Sequence, residues 1–155
     1  IKKFVNYVWI INCIIQINFM VHLTKQYKFC AAHQYWNDSW TNKKNDEVFG
    51  DDVKVHGHNY LLSITIKGNI NSDSGFIIDL QKLNKLVNQK IISVFDHSQI
   101  EKDISWFKDK QPSTENIVVF IWNELVDKIP SGAILHCVKL RETPTIFSEY
   151  YGPNK

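Results

Sequence analysis

Three histidines carry the chemistry that this sequence can be read to hold. His56 and His58 flank Gly57 in the run His56-Gly57-His58-Asn59-Tyr60. On a helix two residues at that spacing point apart, whereas on a strand positions i and i+2 lie on the same face. An extended His-x-His therefore aims two imidazoles at one point, a common start for a zinc site. His33 ends an earlier strand-like run and supplies a third. Three histidines leave a fourth zinc position open, as in catalytic sites, where the metal polarises a substrate oxygen or activates a bound hydroxyl. A structural metal remains equally compatible with the spacing. His22 and His136 read as structural histidines.

Two acidic features stand near this set in chemical character. Asp96-His97 follows a helix-like segment and reads either as a helix-end histidine against the dipole or as a proton-handling pair. Glu142 continues the apolar row Val138, Leu140. A carboxylate there either meets a buried partner or reaches solvent at the strand end.

The elements that must position these residues follow from periodicity. Residues 23–34 alternate, with Leu23, Tyr27, Phe29, Ala31 and His33 on one face, so this is a strand. Residues 35–55 read as a long polar loop. A second strand runs from His56 to about Lys67, with Leu62, Ile64 and Ile66 on the histidine side. Asp79 is placed to cap a helix that carries Leu83, Leu86, Val87, Ile91 and Val94 to about Phe95. Pro112-Ser113-Thr114-Glu115 opens a second helix, closed by Pro130-Ser131-Gly132. Ile134, His136, Val138, Leu140 and Glu142 are read as one face of a third strand, and Thr143-Pro144 turns the chain into a fourth. The order is ββααββ, an α+β pattern: an antiparallel four-stranded sheet with two helices on one face.

The chain has 155 residues, enough for one domain with a real core. A hydrophobic content of 44%, a charged content of 22% and a net charge of +2 are ordinary for a globular protein. The basic residues are scattered, which argues against a nucleic-acid footprint or a membrane-seeking surface. Three widely spaced cysteines, Cys13, Cys30 and Cys137, form no disulfide framework or zinc motif, so a reducing cytoplasm is expected. Residues 1–19, rich in Ile, Val and Asn, match neither a signal peptide nor a membrane span. We expect them to be a non-native or disordered leader, with Met20 starting a single domain over residues 20–155; an amphipathic extension is the alternative.

Taken together, Phe29-x-Ala31-Ala32-His33, His56-Gly57-His58-Asn59-Tyr60, Asp96-His97, Pro112-Ser113-Thr114-Glu115-Asn116 and Glu142-Thr143 closely resemble the 6-pyruvoyl-tetrahydropterin synthase / 6-carboxy-tetrahydropterin synthase family. The resemblance spans Val21 to Gly152. It implies a tunnelling fold, in which subunit sheets join into a barrel and assemble as a hexamer of two trimers. It implies Zn2+ on His33, His56 and His58, with Glu142 anchoring a pterin ring through paired hydrogen bonds. Ser113, Thr114, Glu115 and Thr143 would line the pocket, often across a subunit boundary, and Asp96-His97 would handle protons. The implied substrate is 7,8-dihydroneopterin triphosphate.

One family feature is missing. The loop before the His-Gly-His run normally carries a catalytic cysteine, typically four positions ahead in short-loop members, and that position here is Asp52. Cys30 and Cys137 point away from the metal by strand parity. A folate-pathway branch uses a glutamate three positions ahead, where this chain has Val53. Asp52 is thus a substitute base, a fourth zinc ligand, or the mark of a non-catalytic pterin- and zinc-binding protein. The expected activity is formation of 6-carboxy-5,6,7,8-tetrahydropterin in queuosine (7-deazaguanine) synthesis. The 6-pyruvoyl reaction and the carboxylate-dependent folate variant are the enzymatic alternatives.

Overall fold

The computed structural model describes residues 20–153; the expected leader, residues 1–19, lies outside them. The fold is α+β, built on one sheet whose apolar face is covered by helices. Strand β1 (Met20–His33) pairs antiparallel with β2 (His56–Asn69) along its whole length. Strand β4 (Ala133–Arg141) lies on the other side of β2, and β5 (Phe147–Tyr150) closes that edge. A fifth strand, the two-residue β3 (Ser98–Gln99), runs parallel to the end of β1 through Ala31 and Ala32. The sheet is therefore five-stranded and mixed, in the order β3-β1-β2-β4-β5, rather than four-stranded and antiparallel. Two residues carry too little hydrophobic pattern to announce a strand.

The alternation read from β1 and β2 holds. Phe29, Ala31, Tyr60, Leu62, Ile64 and Ile66 are buried on the helix side, while Thr24, Gln26, Cys30 and Asn59 belong to the opposite, polar face. The row read along β4 does not hold. Thr65 lies opposite Cys137 and Ile66 opposite Leu135, so His136 is an extra residue in a β-bulge. A bulge inverts the parity beyond it. Leu135 is consequently buried, and Ile134, expected on the core face, is exposed. His136 instead packs against His22, with ring centroids 4.3 Å apart.

Helix α1 (Asn42–Phe49) occupies the segment expected to be loop, followed by a 3-10 turn over Gly50–Val53. Polar groups organise it. Thr41 caps its N-terminus, and the buried Asn45 amide donates to the carbonyls of Asn37 and Thr41. Helix α2 (Leu80–Val87) is capped by Asp79, whose carboxylate accepts from the Gln81 and Lys82 N–H groups. It continues through a π turn over Asn88–Ile92 into Ser93–Phe95. Helix α3 (Thr114–Leu125) is capped by Ser113. Leu83, Val87, Ile91, Ile117, Ile121 and Leu125 from these helices are fully buried in the core they share with the sheet. Among the described residues, no helix is long and apolar enough to cross a membrane.

Candidate metal centre

Full-length pairing of β1 with β2 brings the histidines together. His33 lies directly opposite His56, and Ala31 opposite His58. The ring centroids are 4.5 Å apart for His33 and His56, 5.2 Å for His33 and His58, and 5.1 Å for His56 and His58. One ligand nitrogen from each falls within 4.8 Å of the other two. Gly57 between them lets β1 approach: a Cβ there would sit 3.2 Å from the Ala31 carbonyl oxygen.

The ring tautomers are fixed by partners that can only accept. His33 Nδ1 lies 2.9 Å from the Pro112 carbonyl oxygen, so Nδ1 carries the hydrogen and Nε2 the lone pair. His56 Nδ1 makes the same bond to the Lys54 carbonyl at 2.8 Å. Outer hydrogen bonds of this kind orient metal-ligating histidines. His33 is fully buried, and its Nε2 has no hydrogen-bond partner. A buried ring nitrogen left bare next to two further imidazoles fits a bound divalent metal such as zinc.

Burial is the main influence on His33 and holds its pKa below the usual imidazole range, against a smaller opposing effect of the Pro112 bond. Neutral imidazole is the form that ligates metal. It also sets a stability trend for the metal-free protein. As pH falls below about 6.5, the ordinary histidine value, the unfolded chain takes up a proton that folded His33 resists. Stability should therefore be fully present above that value and decline as pH drops toward the lowered folded value. Urea titrations of metal-free protein across pH 5 to 8 check this, with His33→Gln losing part of the slope.

Glu142, just beyond β4, points inward. Its side chain is 10% exposed, and its Oε1 lies 3.4 Å from His33 Nε2 and 3.6 Å from His58 Nε2. The Tyr60 hydroxyl donates to the same oxygen at 3.2 Å. Glu142 thus has a buried partner, the first of the two outcomes read from its position in the row. Burial, followed by the Glu142 charge, pushes the Tyr60 phenol pKa well up, so Tyr60 remains a donor. Burial raises Tyr35 too, with Glu142 and Asp52 adding to it. Tyr60 and Tyr35 were not singled out from sequence. For Tyr60 the signal was present, since it follows His58 by two residues on the same face.

Asp52 sits in the 3-10 turn at the rim, with a half-exposed side chain whose Oδ1 lies 3.7 Å from His56 Nε2. Among the three histidines it contacts His56 alone within ion-pair distance. Its backbone carbonyl accepts from the Tyr35 N–H at 2.9 Å, tying the turn to the end of β1.

Asp96 and His97 do pair, with Nδ1 and Oδ2 3.1 Å apart, but not at the histidine cluster. They clasp the outer edge of β1. The Asp96 carboxylate accepts from the Cys30 N–H at 2.9 Å, and the His97 N–H donates to the Cys30 carbonyl at 2.6 Å. The Cys30 N–H bond, more than the neighbouring imidazole, holds the Asp96 carboxyl below its usual range. His97 adopts a left-handed backbone (φ 64°), and its side chain is 82% exposed. A shallow groove of about 330 Å³ between His97, Cys30, Asn59 and Gly57 opens beside it.

The remaining predicted residues lie around the α3 terminus and the β4–β5 turn. Ser113 caps α3, next to the Pro112 carbonyl that holds His33. Thr114 is buried and bonds Ser148 of β5 at 2.7 Å, and it also donates to the exposed Glu115. The Thr143 hydroxyl accepts from the Ile146 N–H at 3.0 Å and shapes the turn after Glu142.

Residues 22–153 match the family model for 6-pyruvoyl tetrahydropterin synthase. A 6-pyruvoyl tetrahydrobiopterin synthase of Dictyostelium discoideum is 31% identical over 132 residues, covering 85% of this chain and 96% of the relative. A 6-carboxy-5,6,7,8-tetrahydropterin synthase of Rickettsia typhi is 29% identical, covering 84% of this chain and 99% of the relative. The solved 6-pyruvoyl tetrahydropterin synthase of Caenorhabditis elegans superposes with a TM-score of 0.81 at 28% identity, over 86% of this chain and 96% of that one.

Proposed function

The chain belongs to the 6-pyruvoyl tetrahydropterin synthase family, and we propose that it is a metal-dependent lyase acting on 7,8-dihydroneopterin triphosphate. The observation that carries this reading is the bare, buried His33 Nε2 facing Glu142, with His56 and His58 converging on the same point. A zinc ion held by His33, His56 and His58 would supply a Lewis acid for the side-chain hydroxyls of the substrate. Glu142 would receive the pterin ring N–H and amino group as a pair of charge-assisted hydrogen bonds. Tyr60 holds that carboxylate in place by donating to Oε1. Asp52, at the open rim beside His56, is positioned to take a proton from the side chain of the substrate as triphosphate departs.

The product follows from likeness more than from geometry. The sequence-based expectation was the 6-carboxy product of the queuosine route. The Dictyostelium likeness favours 6-pyruvoyl-tetrahydropterin, which we take as the first reading. The Rickettsia likeness keeps the 6-carboxy product as the second. Incubating zinc-loaded protein with dihydroneopterin triphosphate and identifying the pterins distinguishes them. Bound but unconverted substrate would instead support a non-catalytic pterin-binding protein.

Asp96-His97 acquires a role only in an assembly. The pair clasps the outer edge of β1, and its exposed imidazole is presented outward. In a hexamer of two trimers, one copy would offer this dyad to the metal centre of the next. Two inactive variants, His56→Ala and His97→Ala, should then regain activity when unfolded and refolded together. In a random two-subunit pairing about a quarter of the interfaces combine two intact halves. Mixed protein as inactive as either parent would place the dyad outside catalysis.

A further inference from the structure

Glu142 meets the histidine cluster in a way that a pterin anchor does not need. Its Oε1 carries all of its close contacts among the described residues: Tyr60 Oη at 3.2 Å, His33 Nε2 at 3.4 Å and His58 Nε2 at 3.6 Å. The His33 contact sets acceptor against acceptor, because Nδ1 holds the ring hydrogen against Pro112 and the Nε2 lone pair faces the carboxylate. Two lone pairs at that separation repel unless a cation lies between them. Donor atoms bound to one tetrahedral zinc at about 2.0–2.1 Å stand roughly 3.3–3.4 Å apart. Glu142 Oε1 is therefore at the spacing of a ligand neighbour from two of the three imidazoles. Asp52 reaches only His56, at 3.7 Å and from a half-exposed position.

We propose that Glu142 Oε1, held by the Tyr60 hydroxyl, is the fourth ligand of the metal in the ligand-free protein, and that the pterin ring displaces it. This rests on the metal-dependent reading above. The two roles of Glu142 exclude each other in time. Receiving both the ring N–H and the amino group requires both carboxylate oxygens, so Oε1 must leave the metal as the ring docks. Ring binding then opens a coordination position for the side-chain hydroxyls. Before that moment the position is closed to water and small anions, and no proton need be transferred for the exchange. Tyr60 is a positioning residue here: it orients Oε1 and stays bonded to the carboxylate in both states.

Cobalt-substituted protein tests this without turnover. The ring-only probe is 6-methylpterin, which lacks the side-chain hydroxyls and so cannot chelate through them. Wild-type protein should show the intense visible bands of a four-coordinate ion, and adding 6-methylpterin should change them. Glu142→Gln should bind cobalt and zinc at least about 10-fold more weakly and lose the response. Tyr60→Phe should retain the bands but shift them, a change that a purely structural tyrosine would not cause. If 6-methylpterin binds by fluorescence titration yet leaves the wild-type cobalt spectrum unchanged, the proposal is overturned, and that result requires no variant to fold. Unchanged metal affinity in Glu142→Gln would overturn it as well. Failure of the underlying reading is separate: wild-type protein that binds no stoichiometric cobalt, or His56→Ala that binds it undiminished, refutes the three-histidine centre itself.

Discussion

His33→Ala should leave the protein without stoichiometric metal and without pterin turnover, and should also weaken the metal-free fold by about 2–4 kcal/mol. His33 is fully buried between the histidine cluster and the start of α3, so truncation opens a hole that its neighbours cannot fill. It also strands the Pro112 carbonyl, whose partner is the lost Nδ1–H, and that carbonyl lies at a buried proline just before the Ser113 cap. Two imidazoles remain, too few for a stable zinc centre. Metal content after dialysis, product formation and urea unfolding measure the three effects. His56→Ala is the informative comparison. Its side chain is 30% exposed and bonds a carbonyl at the strand entrance, so it should lose metal and activity at a much smaller cost in stability. If both variants lose stability alike and keep their metal, the cluster is structural packing and the catalytic reading falls.

The second large effect concerns the rim. Asp52→Cys should raise the lyase rate by about 10- to 1,000-fold, within the range of general-base contributions. A thiol with a reference pKa of about 8.5 yields a far stronger base than a carboxylate near 3.9. The 3-10 turn that carries residue 52 is tied to β1 by the Tyr35 N–H bond to its backbone, so the new thiol inherits a fixed place beside His56. The pH profile supplies a second readout. A base must be deprotonated to act, so activity of the cysteine variant should climb with pH through the thiol titration, a limb lacking in the parent. A nearby divalent cation would move that limb below 8.5. If the rate falls instead, the carboxylate is the adapted base of this protein and the missing cysteine is no lesion.

Several parts of the site were legible because their signals are local. The two-residue period of a strand places His56, His58, Tyr60 and Leu62 on one side from spacing alone, and the structure buries Tyr60 and Leu62 there. Asp79 and Ser113 announce α2 and α3 because capping depends on atoms within one turn. Helix α1 gave no such signal. It is held by the Asn45 amide and by Trp40 stacked on Phe49, 5.7 Å between centroids, rather than by an apolar stripe. The bulge at His136 was equally invisible, because an inserted residue in one strand is defined only by its partner, here the Thr65–Ile66 step of β2.

By itself, the sequence determined the three imidazoles, the strand parity that aims them and the absence of a cysteine at position 52, since each depends on residue type and short-range periodicity. Only the tertiary structure decided what surrounds them. The Pro112 carbonyl that sets the His33 tautomer comes from 79 residues away, and Tyr60 reaches Glu142 across 82. Asp96 and His97 were read as possible partners of the metal centre, yet hydrogen bonds to the Cys30 backbone hold them at the β1 edge. Contacts that span the chain are fixed by which strands pair and in what register, and no local pattern encodes that choice.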